Sequence, residues 1–94
     1  MFVLLLTYVK PLEEVDELMR PHVAWLNEHY AAGRFLVSGR QVPRTGGVIV
    51  ARGDDREEIE ALAASDPFVT GGVATCEVVQ FRASQSAPEI ASLL

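Results

Sequence analysis

The sequence predicts an α+β domain of ferredoxin-like class, with a four-stranded antiparallel sheet and two helices on one of its faces. Three observations predict it. Strand-like runs rich in β-branched and aromatic residues occur at 2–9, 34–42, 48–51 and 73–82. Helical periodicity occupies 12–32 and the stretch from Asp54 and Asp55 to about Ser65. Turn chemistry alone, with no helix, separates the second and third strands. The order is therefore β-α-β-β-α-β in one copy, and right-handed crossovers place both helices on the same side of the sheet.

The first strand, Phe2-Val3-Leu4-Leu5-Leu6-Thr7-Tyr8-Val9, is apolar on both alternating faces and is closed by Lys10-Pro11. That pattern fits a central strand covered on both sides. In the helix that follows, Val15, Leu18, His22, Leu26 and His29 recur at intervals of three and four, with Met19, Trp25 and Tyr30 widening the stripe. Pro21 removes an amide donor and disfavours helix at Arg20, so a kink or a fresh start is expected there. Gly33 ends the helix.

Phe35-Leu36-Val37 centres the second strand, and Pro43-Arg44-Thr45-Gly46-Gly47 reads as the hairpin turn before Val48-Ile49-Val50-Ala51. Asp54 and Asp55 offer an N-cap, with Glu57 and Glu58 at capping-box spacing. Ile59, Leu62 and Ala63 face inward, Pro67 stops the helix, and Pro67–Thr70 forms at most one short turn before Gly71-Gly72. After the fourth strand the domain ends near residue 82. Residues 83–94 form an Ala- and Ser-rich tail broken by Pro88, mobile unless Ile90, Leu93 and Leu94 dock.

Composition narrows the function classes. In 94 residues, 8 basic and 13 acidic side chains give a net charge of −5, which disfavours nucleic acid and anionic membrane as partners. The N-terminal apolar run is too short to span a bilayer, and its Lys10 follows rather than precedes it, unlike a signal peptide. A cytoplasmic location is the default expectation. One cysteine permits no internal disulfide. Yet 49% of the residues are hydrophobic, and a domain this small buries only about 60–65% of its unfolded surface. The surplus points to an uncovered sheet face of Leu, Val, Phe and Tyr that meets a second copy.

Common catalytic constellations are missing. Gly46-Gly47 precedes a strand and lacks a following Gly-Lys-Ser/Thr, so it is no phosphate loop. Ser38-Gly39 lacks the Gly-x-Ser-x-Gly elbow of serine hydrolases. His22 and His29 lie about 10 Å apart along the helix, beyond the i, i+4 spacing of paired metal ligands. Neither a metal nor a cofactor is expected. Cys76, inside a strand, reads as an inert core thiol. His29, near the helix end, suits the C-terminal dipole or the surface.

His22 is the residue of most interest, because it sits mid-stripe between Leu18 and Leu26 and should point toward the sheet. It is either a satisfied core histidine or a general acid/base. Asp66 before Pro67 is a good N-cap; it is also a candidate to orient an imidazole. Nothing local joins the two. Arg40 and Arg44 are either solvated loop charge or an anion anchor. Trp25, Tyr8 and Phe35 are either core or the apolar walls of a ligand site.

His22-x-x-x-Leu26, Gly33-Arg34-x-Leu36, Ser38-Gly39, Gly46-Gly47 and Asp66-Pro67-Phe68 followed by Gly71-Gly72 occur here in order. The set resembles the YciI-like, or YCII-related, domain family. The resemblance runs from about residue 20 to 72 in motifs, and over 1–82 in element order. It implies a ferredoxin-like domain that pairs sheet to sheet as a dimeric α/β barrel, a homodimer or higher oligomer. It also implies that His22 and Asp66 form a catalytic pair. Cofactor-free isomerisation, elimination (including dehydrohalogenation) and decarboxylation of small compounds are known on this fold. Two departures stand out: Arg40 replaces a frequent proline after Gly39, and Pro21 directly precedes the histidine.

The expectation is a cofactor-independent lyase or isomerase acting on a small anionic or aromatic substrate. His22 would move the proton and Asp66 would hold the ring. Arg40 and Ser38 would engage an anionic group, and Trp25, Tyr8 and Phe35 would form walls. The rival expectation is a non-catalytic ligand-binding or assembly module, in which His22 and Asp66 only buttress the helices.

Overall fold

A computed structural model describes all 94 residues. Strand β1 (Phe2–Tyr8) lies between β3 (Gly46–Ala51) and β4 (Ala74–Gln80), with β2 (Phe35–Arg40) beyond β3. Every pairing is antiparallel, and the order β2-β3-β1-β4 is that of the ferredoxin-like fold the sequence predicts. The helices are α1 (Leu12–Glu17), α2 (Met19–Ala31), α3 (Arg56–Ala64) and the single turn α4 (Pro67–Thr70).

Side chains alternate across a strand, so the register assigns each residue a face. Phe2, Leu4 and Leu6 of β1 and Ile49 and Ala51 of β3 are buried under the helices with Phe35, Val15, Trp25, Ile59, Ala63 and Phe68. The other face carries Val3, Leu5, Val48 and Val50 on the central strands, with Val37 and Val79 toward the edges. No element of the chain covers it, and Val37 is 58% exposed. Within the strands its apolar groups are Val and Leu; Phe81, just past β4, continues the ladder through its amide to Met1 O and is 43% exposed. Of the other expected aromatics, Phe2, Tyr8 and Phe35 take helix-facing register positions.

Several local features differ from expectation. The first helix restarts at Met19, not at Pro21, after a break at Leu18 (φ −101°, ψ 6°). Pro21 then occupies the third position of α2, where an amide has no intrahelical partner to lose; His22 N is the first to bond, to Leu18 O at 3.0 Å. Gly46 and Gly47 belong to β3 rather than to the turn, which is confined to Gln41–Thr45. The reason is steric: a Cβ at Gly46 would lie 1.7 Å from the Leu6 carbonyl oxygen, so glycine lets β3 approach β1 there. Pro67 does stop α3, but it also opens α4 at the first helical position.

Asp55 caps α3 by accepting the Glu58 amide at 3.2 Å, which realises the predicted capping spacing. The tail forms a 3₁₀ segment, Pro88–Leu93, and Ile90, Leu93 and Leu94 are each more than 40% exposed. No helix is long and apolar enough to cross a membrane.

Candidate active site

The restart at Met19 sets the phase of α2, and that phase aims His22 at the space between the helix and α4. Asp66 arrives from the other end of the chain as the N-cap of α4. His22 Nδ1 and Asp66 Oδ1 are 2.7 Å apart, a contact 44 residues distant in sequence. The same oxygen accepts the Phe68 amide at 2.9 Å. A single atom therefore satisfies both readings of Asp66, the cap and the imidazole partner. His22 is 8% exposed and Asp66 1% exposed.

The ring is held on its faces as well. The Phe68 ring stacks on the imidazole with centroids 3.8 Å apart and planes 8° apart, and Trp25 lies at 5.9 Å. A carboxylate accepts and never donates when ionised, so the Nδ1 position carries the proton in this pair. Nε2 is then the ring nitrogen left for a substrate. Asp66 Oδ2 is buried with no hydrogen-bond partner.

A cavity of about 240 Å³ opens beside His22. It is smaller than the roughly 300–1,000 Å³ that holds drug-sized ligands, so its occupant is small. Its floor is the helix-side face of the sheet: Leu6, Gly47 and Arg40 in one cross-strand row, Ile49 and Ser38 in the next. Met19, His22, Val23 and Leu26 of α2 roof it, and Tyr8 and Phe68 also line it. Three polar residues stand among this apolar lining: His22, Ser38 and Arg40. Arg40 forms no ion pair, whereas Arg34, Arg44 and Arg56 each pair with a carboxylate.

Of the residues singled out from sequence, His22, Ser38, Arg40 and Tyr8 meet at the cavity, and Asp66 stands directly behind His22. Trp25 and Phe35 do not line it. They pack edge to face at 5.2 Å in the core, joined by His29 and Tyr30, and Trp25 Nε1 donates to Ser65 Oγ at 2.9 Å. Their place follows from the widened stripe, in which Trp25 sits at one flank while the cavity-lining Met19, Val23 and Leu26 lie toward the other, with His22 between them.

Arg44 is also removed from the cavity. It donates to Asp16 Oδ1 at 2.6 Å and lies over the Tyr8 ring at 5.7 Å, tying the β2–β3 turn to α1. This hydrogen bond holds the Asp16 carboxyl below its ordinary range. The Cys76 thiol is pushed up to about 11, first by burial and then by the negative charges of Asp66 and Glu77. No three His, Cys, Asp or Glu side chains converge as a metal site would require.

Two contributors were not singled out from the sequence. Phe68 stacks on His22, and its signal was present in Asp66-Pro67-Phe68, where a cap oxygen and the ring two residues later must lie on one side of the turn. Tyr30 places its hydroxyl 2.5 Å from Ser38 Oγ. No spacing rule links a helix residue to a strand residue eight positions on, so nothing in the sequence marks that bond.

Comparison with known proteins agrees with this architecture. No curated protein matches the sequence. Among solved structures, the fold is similar to that of a 5-chloro-2-hydroxyhydroquinone dehydrochlorinase from Burkholderia phenoliruptrix, determined in complex with 2,5-dihydroxybenzoquinone. The TM-score is 0.71 at 19% sequence identity, over 87% of this chain and 94% of that one. The model of the YCII-related domain family matches residues 1–82, the whole of the sheet and its helices. On that match, the chain belongs to the YCII-related domain family.

Proposed function

We propose that this protein is a lyase- or isomerase-type enzyme in which His22 and Asp66 work as a proton-transfer pair on a small unsaturated anion. The observation that carries the reading is the buried 2.7 Å contact between His22 Nδ1 and Asp66 Oδ1 beside a cavity whose lining includes Arg40 and Ser38. A core histidine needs no such cavity beside it. The similarity in fold to a dehydrochlorinase makes elimination of chloride from a hydroxylated ring the first reaction to try.

The steps follow from the geometry. Arg40 pairs with an anionic oxygen of the substrate, and the Ser38 hydroxyl donates to a neighbouring oxygen. Nε2 of His22 accepts a proton from an acidic O–H or C–H. The electron pair left behind moves into the unsaturated system, and in an elimination from a ring the carbon bearing the leaving group takes the proton back from His22 and becomes tetrahedral; loss of a second O–H proton then expels the leaving group with its bonding electrons. Asp66 Oδ1 holds the ring through Nδ1–H and stabilises the imidazolium while it exists. Leu6, Leu26, Tyr8 and Phe68 surround the reacting atoms with apolar surface, which strengthens each of these charge interactions. We also propose that the Val and Leu face of the sheet packs on a second copy of the chain.

His22→Gln is the direct test. Gln keeps a donor for Asp66 and removes the base. Chloride release from 5-chloro-2-hydroxyhydroquinone should fall by about 100-fold or more, as loss of general acid–base catalysis requires. Unchanged turnover in a folded His22→Gln variant would overturn the role of His22. The rival reading, a ligand-binding module, predicts instead that the wild type binds the ring compound and releases no chloride.

A further inference from the structure

Gly47 occupies a position where nothing in the backbone asks for glycine. Its φ is not positive, unlike those of Gly33, Gly53 and Gly72. A Cβ built on it would make ordinary contacts, 3.4 Å to the Gly39 carbonyl oxygen and 3.6 Å to Leu6 Cδ1. Gly46 next to it is the opposite case, pressed against Leu6 O. Glycine in a strand interior weakens the strand by its backbone freedom and packs nothing, and such a residue often marks where another molecule comes close.

The register shows what the missing side chain leaves open. Gly47 pairs with Leu6 on one side and Arg40 on the other, on the face covered by α2. It is buried, and it lines the same cavity as His22. A side chain at this point would rise from the middle of the floor, between the apolar wall of Leu6 and the guanidinium of Arg40. Gly39 meets the same cavity, yet by register its Cα position faces the open side of the sheet, opposite Val48.

We propose that Gly47 is the specificity-determining residue of this site, its absent side chain being the space in which a flat ring lies against the sheet within reach of His22. This rests on the cavity being the ligand site described above. A planar ring is about 3.5 Å thick at carbon contact distance, so even one branched side chain at position 47 occupies the layer it needs.

The experiment measures access to His22 without requiring a substrate. Wild type, Gly47→Ala and Gly47→Val, each as the full chain, are treated with diethyl pyrocarbonate, and acylation of His22 and His29 is followed separately by peptide mass. His22 should react at least tenfold more slowly in Gly47→Val and at an intermediate rate in Gly47→Ala. His29, outside the cavity, should stay within twofold. A His22 rate within twofold of wild type in Gly47→Val would overturn the proposal. Should that variant fail to fold, Gly47→Ala decides: a slowing of twofold or more supports the proposal, and an unchanged rate overturns it. Unaltered His22 acylation overturns the proposal whatever becomes of chloride release, because this readout follows space while His22→Gln follows chemistry.

Discussion

Asp66 Oδ1 accepts from both His22 Nδ1 and the Phe68 amide, so one atom serves the fold and the proposed chemistry together. Removing it does two kinds of damage. Asp66→Ala takes away a helix cap and leaves a buried imidazole N–H without an acceptor; we expect a loss of about 2–4 kcal/mol in a denaturant melt. Asp66→Asn keeps an oxygen for the cap and is the variant that reports on proton transfer. Cys76 makes a contrasting case. With its thiol pushed up from 9.0 to about 11, the folded protein holds little thiolate at pH 8. Reaction with a disulfide reagent should be at least tenfold slower in the native than in the unfolded chain. Equal rates would show that the thiol is neither buried nor shielded. Among the residues gathered at or behind the cavity, His22, Asp66 and Ser38 were carried by motifs in the sequence, whereas Arg40 stood out as a departure from one. Phe68 was present in the Asp66-Pro67-Phe68 motif without its stacking on His22 being read, and Tyr30 had no signal, because both contacts depend on the distance between elements.

At the scale of elements, the adjacent glycines of β3 separate two causes that the sequence cannot. Gly46 is required by the fold and Gly47 is not. Gly46→Ala should lower the melting temperature by roughly 10 °C or more, since the Leu6 backbone must move. Gly47→Ala should leave it unchanged or slightly higher. Equal losses would mean that β3 sits differently against β1. Read from the chain, Gly46-Gly47 has the chemistry of a turn, and only the register against Leu6 and Thr7 identifies them as strand. The break at Leu18 was similarly hidden. Pro21 announces it, yet a proline in the first turn of a helix costs nothing, so the helix begins before it. The α1–turn tie contributes a pH effect. Asp16 has its carboxyl lowered from 3.8 by Arg44, so the stabilisation is present above that value and disappears as acid protonates the folded carboxylate below it. Asp16→Asn should flatten this acid limb of the melting profile. The effect should be small and should shrink with salt, because the pair is exposed.

For the molecule as a whole, the high apolar content has a location. It divides between a core under the helices and a Val and Leu face with nothing over it. The apolar alternation in β1 made both faces legible. The assignment of aromatics to one of them was not, since alternation gives two faces without saying which the helices take. If a second copy covers the open face, light scattering should give a mass near twice 10.3 kDa. Val50→Glu, at the centre of that face between Val3 and Val37, should give the single-chain mass. A wild type that stays at 10.3 kDa at high concentration would refute the sheet-to-sheet dimer.

The proposed chemistry turns on one proton of His22. With Asp66 as a carboxylate, the contact requires the proton on His22 Nδ1 and leaves Nε2 without a hydrogen-bond partner in the chain. Nitrogen-15 NMR of the imidazole, with 2,5-dihydroxybenzoquinone as the added ring compound, reads both nitrogens directly. The expected result is the Nδ1–H tautomer in the free protein, its loss of preference in Asp66→Asn, and a change at Nε2 when the ring compound is added. A neutral His22 protonated at Nε2, with signals indifferent to the ring compound and to Asp66→Asn, would contradict it.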